Sequence, residues 1–98
     1  MTRKEIVSLA EEFDMHRKAF CTHDYFKKST NPVDVDFGIC SGQLYFGLIF
    51  EAEWMDEENI HLLMPIEETT VLAARTILTR LFRKAHFAMD EAECFSHA

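Results

Sequence analysis

Between Val33 and Ile66 the chain alternates apolar and polar or small residues with a period of two, which restricts the fold more than any other feature. Val33, Val35, Phe37 and Ile39 alternate with Asp34, Asp36, Gly38 and Cys40. Leu44, Phe46, Leu48, Phe50, Ala52 and Trp54 alternate with Tyr45, Gly47, Ile49, Glu51 and Glu53, and Ile60, Leu62, Met64 and Ile66 follow. Successive strand side chains point to opposite faces, so this spacing predicts half-buried strands over about 33–40, 43–54 and 60–66. Ser41-Gly42 suits a two-residue hairpin turn, and Met55 to Asn59 forms a polar second turn.

Register supplies a check on that reading, because directly opposed residues share a face. A turn at Ser41-Gly42 sets Ile39 against Leu44, Phe37 against Phe46 and Val35 against Leu48. A turn over Met55–Asn59 sets Trp54 against Ile60, Ala52 against Leu62 and Phe50 against Met64. All three apolar sets then fall on one side of the sheet, and a one-residue slip in either hairpin would destroy the agreement.

Helical patterns flank the meander. Thr2 and Glu5 have the spacing of a capping box, and Ile6, Leu9, Ala10, Phe13, Arg17 and Phe20 recur at helical intervals, predicting a helix over about 3–24. Lys27 to Pro32 reads as a loop, since Pro32 disfavours helix at Asn31. Glu67 to Thr70 place acids and hydroxyls where a helix N-terminus needs them. The stripe Val71, Ala74, Leu78, Leu81, Phe82, Ala85 and Met89 predicts a second helix over about 68–89, followed by an acidic tail over 90–98. The expected fold is a single two-layer α+β domain, αβββα, with both helices over the apolar side of a three-stranded antiparallel sheet.

A chain of 98 residues can bury roughly 60–65% of its unfolded surface, enough for one core. A formal charge of −7 disfavours direct nucleic-acid binding, which needs cations against phosphates, and favours a protein partner with a basic surface. No apolar run approaches the roughly 18 residues of a membrane span. The three cysteines have no CxxC spacing and are odd in number, which fits a reducing compartment. We therefore expect a cytoplasmic protein without cofactor.

The sheet face turned away from the helices is the first candidate site. It should carry Asp34, Asp36, Gly38 and Cys40, then Tyr45, Gly47, Ile49, Glu51 and Glu53, then His61 and Leu63. Tyr45, Ile49 and Leu63 make an apolar strip edged by four carboxylates, the composition of a protein-binding or dimerisation face. A solvated antiparallel face routinely carries a few apolar residues too. Asp34 with Asp36, and Glu53 opposite His61, could instead bind a hard metal or transfer protons, although no partner nucleophile follows from the sequence. The outward arc of the second helix, Leu72, Thr76, Arg80, Arg83 and Phe87, is the second candidate contact surface. Cys21, His23, Cys94 and His97 supply thiols and imidazoles sufficient for tetrahedral zinc, at spacings unlike those of common zinc motifs.

These features predict a non-enzymatic interaction module, a homodimer acting as adaptor, chaperone or inhibitor by occluding a partner's surface. A small phage or mobile-element inhibitor that mimics nucleic-acid charge is the nearest alternative. A zinc-binding regulator or small enzyme built on the cysteines and histidines is the second.

Overall fold

The computed structural model of the chain describes residues 1–20, 23–30, 33–50 and 58–96. In chain order the elements are α1 (Arg3–Glu12), β1 (His16–Phe20), β2 (His23–Ser29), β3 (Val33–Cys40), β4 (Gln43–Phe50), β5 (Ile60–Met64) and α2 (Val71–Ser96). The described residues form an α+β mix of two helices and a five-stranded antiparallel sheet whose strands lie side by side in sequence order.

The three expected strands are present, and two more replace the second half of the expected first helix. That helix begins as anticipated, with Thr2 Oγ1 accepting from the Glu5 amide and Glu5 Oε1 accepting from the Thr2 amide. It ends at Glu12 rather than near residue 24 because Asp14 adopts a left-handed conformation, φ 56°. The Asp14 amide then bonds to Glu11 O and the Met15 amide to Ala10 O, closing a Schellman turn over the apolar pair Ala10 and Met15, both buried. Asp tolerates this conformation better than most residues, and Lys28 Nζ holds its carboxylate at 2.7 Å. The chain is thereby turned into β1. β2 continues through Ser29, so Lys27, Lys28 and Ser29, expected in a loop, are strand residues.

The β3–β4 hairpin has the expected register: Ile39 opposes Leu44, Phe37 opposes Phe46 and Val35 opposes Leu48. Ser41 and Gly42 both have positive φ, 51° and 76°, as a primed hairpin turn requires. The next hairpin differs. Ile60 pairs with Leu48, Leu62 with Phe46 and Met64 with Leu44, instead of with Trp54, Ala52 and Phe50. This slide covers an even number of residues, so each side chain of β5 keeps its expected face. Asn59 Oδ1 accepts from the Phe50 amide where β4 ends. Ala52, Trp54 and the Met55–Glu57 part of the expected turn lie outside the described residues.

One face of the sheet meets the helices. Val33, Val35, Phe37, Leu44, Phe46 and Leu48 are fully buried there, and Ile6, Leu9 and Ala10 of α1 and Ala74, Leu78 and Ala85 of α2 join them in one cluster. The Phe37 and Phe46 rings stack with centroids 5.1 Å apart. Phe13 and Phe82 stack at 5.3 Å between the helices, beside a two-point ion pair from Arg75 to Glu12 at 2.9 Å. Toward β1 the same face becomes charged, with Asp24 paired to both Arg3 and Arg17. α2 is capped by Thr70, whose hydroxyl accepts from the Ala73 amide at 3.1 Å. It continues past Met89, through residues expected in an acidic tail, to Ser96. No helix among the described residues is long and apolar enough to cross a membrane.

Position within this face sets the cost of truncation. Phe46 is fully buried, whereas Leu62, its neighbour across β4 and β5, is 40% exposed. Phe46→Ala should therefore lower the unfolding free energy by about 3–5 kcal/mol and Leu62→Ala by about 1 kcal/mol or less. Urea denaturation of both variants checks this, and equal losses would contradict the assigned burial.

Candidate site on the outer sheet face

The register that buries the apolar set places two rows of other residues on the outer face. One row runs Lys18, Tyr25, Gly38, Tyr45 and Leu63, and the neighbouring row runs His16, Lys27, Asp36, Gly47 and His61. One of these positions has to be glycine, and glycine at a second sets where the Tyr45 ring lies. A Cβ on Gly38 would lie 2.4 Å from Tyr25 Cα and 2.5 Å from Asp24 O, so β2 could not approach β3 this closely. A Cβ on Gly47 would lie 2.5 Å from the Tyr45 hydroxyl. The Tyr45 ring lies along its own strand over Gly47, and its hydroxyl reaches His61 Nδ1 at 2.8 Å. His61 is available because it pairs with Gly47, diagonally from Tyr45. The expected Glu53–His61 pair is thus replaced by Tyr45–His61, and Glu51 and Glu53 lie outside the described residues.

The aspartates are not the solvated rim that alternation suggested. Asp34 is 2% exposed and Asp36 7%, although both point away from the helices. Tyr45, lying over Gly47, helps to enclose Asp36, and Lys27 sits beside both carboxylates, 3.4 Å from Asp34 Oδ2 and 3.9 Å from Asp36 Oδ1. Asp36 Oδ1 is sealed from solvent and has no hydrogen-bond partner among the described residues. Burial pushes the Asp36 carboxyl above the usual aspartate range, with the Asp34 charge adding to the shift and Lys27 and His61 opposing it. Burial likewise raises the Tyr45 hydroxyl, and Asp36 contributes. Lys27 is raised despite its own burial, because Asp36 and Asp34 favour its charged form.

A cavity of about 340 Å³ opens among Tyr25, Asp36, Cys40, Tyr45 and His61. Of the expected face residues the structure thus brings Asp36, Cys40, Tyr45 and His61 together around one concavity. Leu63 lies beside Tyr45 in register and is 51% exposed, while Ile49 opposes Asp34 and is half-buried. Tyr25 and Lys27 are absent from the expected face because the sequence pattern places their segment in a helix end and a loop. The available signal was Tyr25 and Lys27 alternating with Phe26, a strand spacing.

The second candidate surface is separate, since α2 packs on the opposite side of the sheet. Leu72 and Phe87 are 69% and 65% exposed. Arg75, Thr76, Thr79, Arg80 and Arg83 line a shallow groove of about 280 Å³. For zinc, His23 opens β2 and Cys94 belongs to α2, while Cys21 and His97 lie outside the described residues. Among the described residues no three His, Cys, Asp or Glu side chains are grouped to hold a metal ion.

Fold and site together define a small α+β protein with a tyrosine-lined pocket on the exposed side of an antiparallel sheet. Compared with known proteins, the chain matches no family model, no curated protein and no solved structure.

The raised Asp36 carboxyl has a consequence for stability. The folded state holds this proton more tightly than the unfolded state, so stability falls as pH rises from the ordinary aspartate value through the folded one. Asp36→Asn removes that contribution. Its melting temperature relative to the native protein should therefore increase between pH 4 and pH 7 in thermal scans. A difference that stays constant or shrinks over that window would contradict the raised carboxyl.

Proposed function

We propose that the protein is a non-enzymatic interaction module, an adaptor, chaperone or inhibitor, that occludes a basic surface of a partner protein with its outer sheet face. The observation that carries this reading is the concavity itself. A cavity edged by Tyr45 and His61, with an enclosed carboxylate in its wall and Leu63 exposed beside it, combines an aromatic anchor, an apolar margin and an unmet acceptor. The formal charge of −7 would speed encounter with a basic partner and orient it.

The enclosure of Asp34 and Asp36 favours this over mimicry of nucleic-acid charge. Mimicry requires carboxylates displayed at a surface with phosphate-like spacing, whereas these two are withdrawn beneath Lys27 and Tyr45. The groove along α2 offers arginines, which suits an acidic contact and not the basic one proposed here.

Leu63 gives a clean test because half of it is exposed, so a polar replacement should change stability by about 0.5 kcal/mol or less. Affinity capture from cells of the native host should recover a partner with the native chain and lose it with Leu63→Asp, at unchanged melting temperature. Undiminished capture by the variant would remove the outer sheet face as the contact surface.

A further inference from the structure

Resting on that reading, we propose that the outer-face pocket receives one arginine side chain of the partner, its guanidinium laid against Tyr25 and Tyr45 and paired with the Asp36 carboxylate. Size argues for a single side chain. The cavity, about 340 Å³, is at the small end of ligand sites, which run from roughly 300 to 1,000 Å³. In register the two tyrosines flank Gly38, and both line the cavity. A flat cation suits two tyrosines lining one cavity, because tyrosine faces attract positive charge and guanidinium stacks on them where a compact ammonium cannot.

Asp36 supplies the pairing. It is more than nine-tenths buried, it lines the cavity, and its Oδ1 lacks a hydrogen-bond partner among the described residues. Lys27 only partly compensates, lying nearer to Asp34 at 3.4 Å than to Asp36 at 3.9 Å. An enclosed acceptor without a donor is unfavourable, so an incoming N–H gains more here than at a solvated carboxylate. The terminal torsion of an aspartate is soft and roughly two-fold, so a turn of the carboxylate can present an oxygen to the cavity. Tyr45 is held in place for this role by its hydrogen bond to His61.

The test titrates the ¹⁵N-labelled 98-residue chain with the capped peptide acetyl-Gly-Arg-Gly-amide, following backbone amides by NMR. Two further peptides carry citrulline, which keeps the shape of arginine without its charge, or lysine in its place. Saturable shifts should centre on Tyr25, Gly38, Tyr45 and His61. The citrulline peptide should bind about tenfold more weakly or worse, and the lysine peptide several-fold more weakly. Asp36→Asn, which leaves shape intact, should reduce arginine binding by about tenfold. Should that variant fail to fold, the arginine and citrulline peptides on the native chain still decide the matter.

Equal binding of arginine and citrulline peptides, or shifts confined to α2, would overturn the proposal. So would a captured partner whose binding is lost with Leu63→Asp but survives Asp36→Asn, an outcome that leaves the sheet face as the contact surface. If capture is indifferent to Leu63→Asp while the arginine peptide still saturates the pocket, the arginine site stands and the wider contact surface falls.

Discussion

A strand has only two faces, so pairing Phe37 with Phe46 decides where every other residue of this sheet points. With those rings stacked under α2, Val35 and Leu48 are also directed to the core. Asp36, Gly38, Tyr45 and Gly47 are directed away from it by the same geometry. The apolar burial that stabilises the core and the polar cluster on the far side are thus two results of one register. Neither can shift by a single residue without exchanging the two sets.

The polar cluster in turn depends on what is missing from it. Gly47 lets the Tyr45 ring lie flat along β4 until its hydroxyl meets His61, and Gly38 lets β2 close against β3. The flattened tyrosine and the nearby Lys27 leave Asp36 enclosed on a face that strand alternation marks as open. A carboxylate so placed is held less readily in its charged form, which is why its proton affinity rises. Pocket, buried acid and hydrogen-bonded tyrosine therefore arise together from two absent side chains and one register.

Much of this was legible in the sequence, with limits that have physical causes. Strict alternation and a Ser41-Gly42 turn specify β3 and β4, down to their cross-strand partners. The β4–β5 pairing differs from the expected one in position yet not in face, because a period of two is blind to an even slide. β1 and β2 were hidden because Phe13, Arg17 and Phe20 also fit a helical period, and the helix stop is carried by Asp14, a residue that resembles neither glycine nor proline. Arg17, an interruption in the supposed helical stripe, instead faces Asp24 across a strand pair. The candidate site was half visible for the same reason: Tyr45, Asp36 and His61 sit on strands that the alternation revealed, whereas Tyr25 and Lys27 sit on one it did not. Burial of Asp34 and Asp36 was out of reach, since it depends on side chains folding over from neighbouring strands.

Register is therefore the claim on which the fold and the site jointly stand, and backbone proton–proton NOEs measure it directly. The account predicts cross-strand contacts of Tyr45 with Leu63, Gly47 with His61, and Gly38 with both Tyr25 and Tyr45. Contacts that instead joined Ile60 to Trp54 and His61 to Glu53, with none between Gly47 and His61, would contradict it.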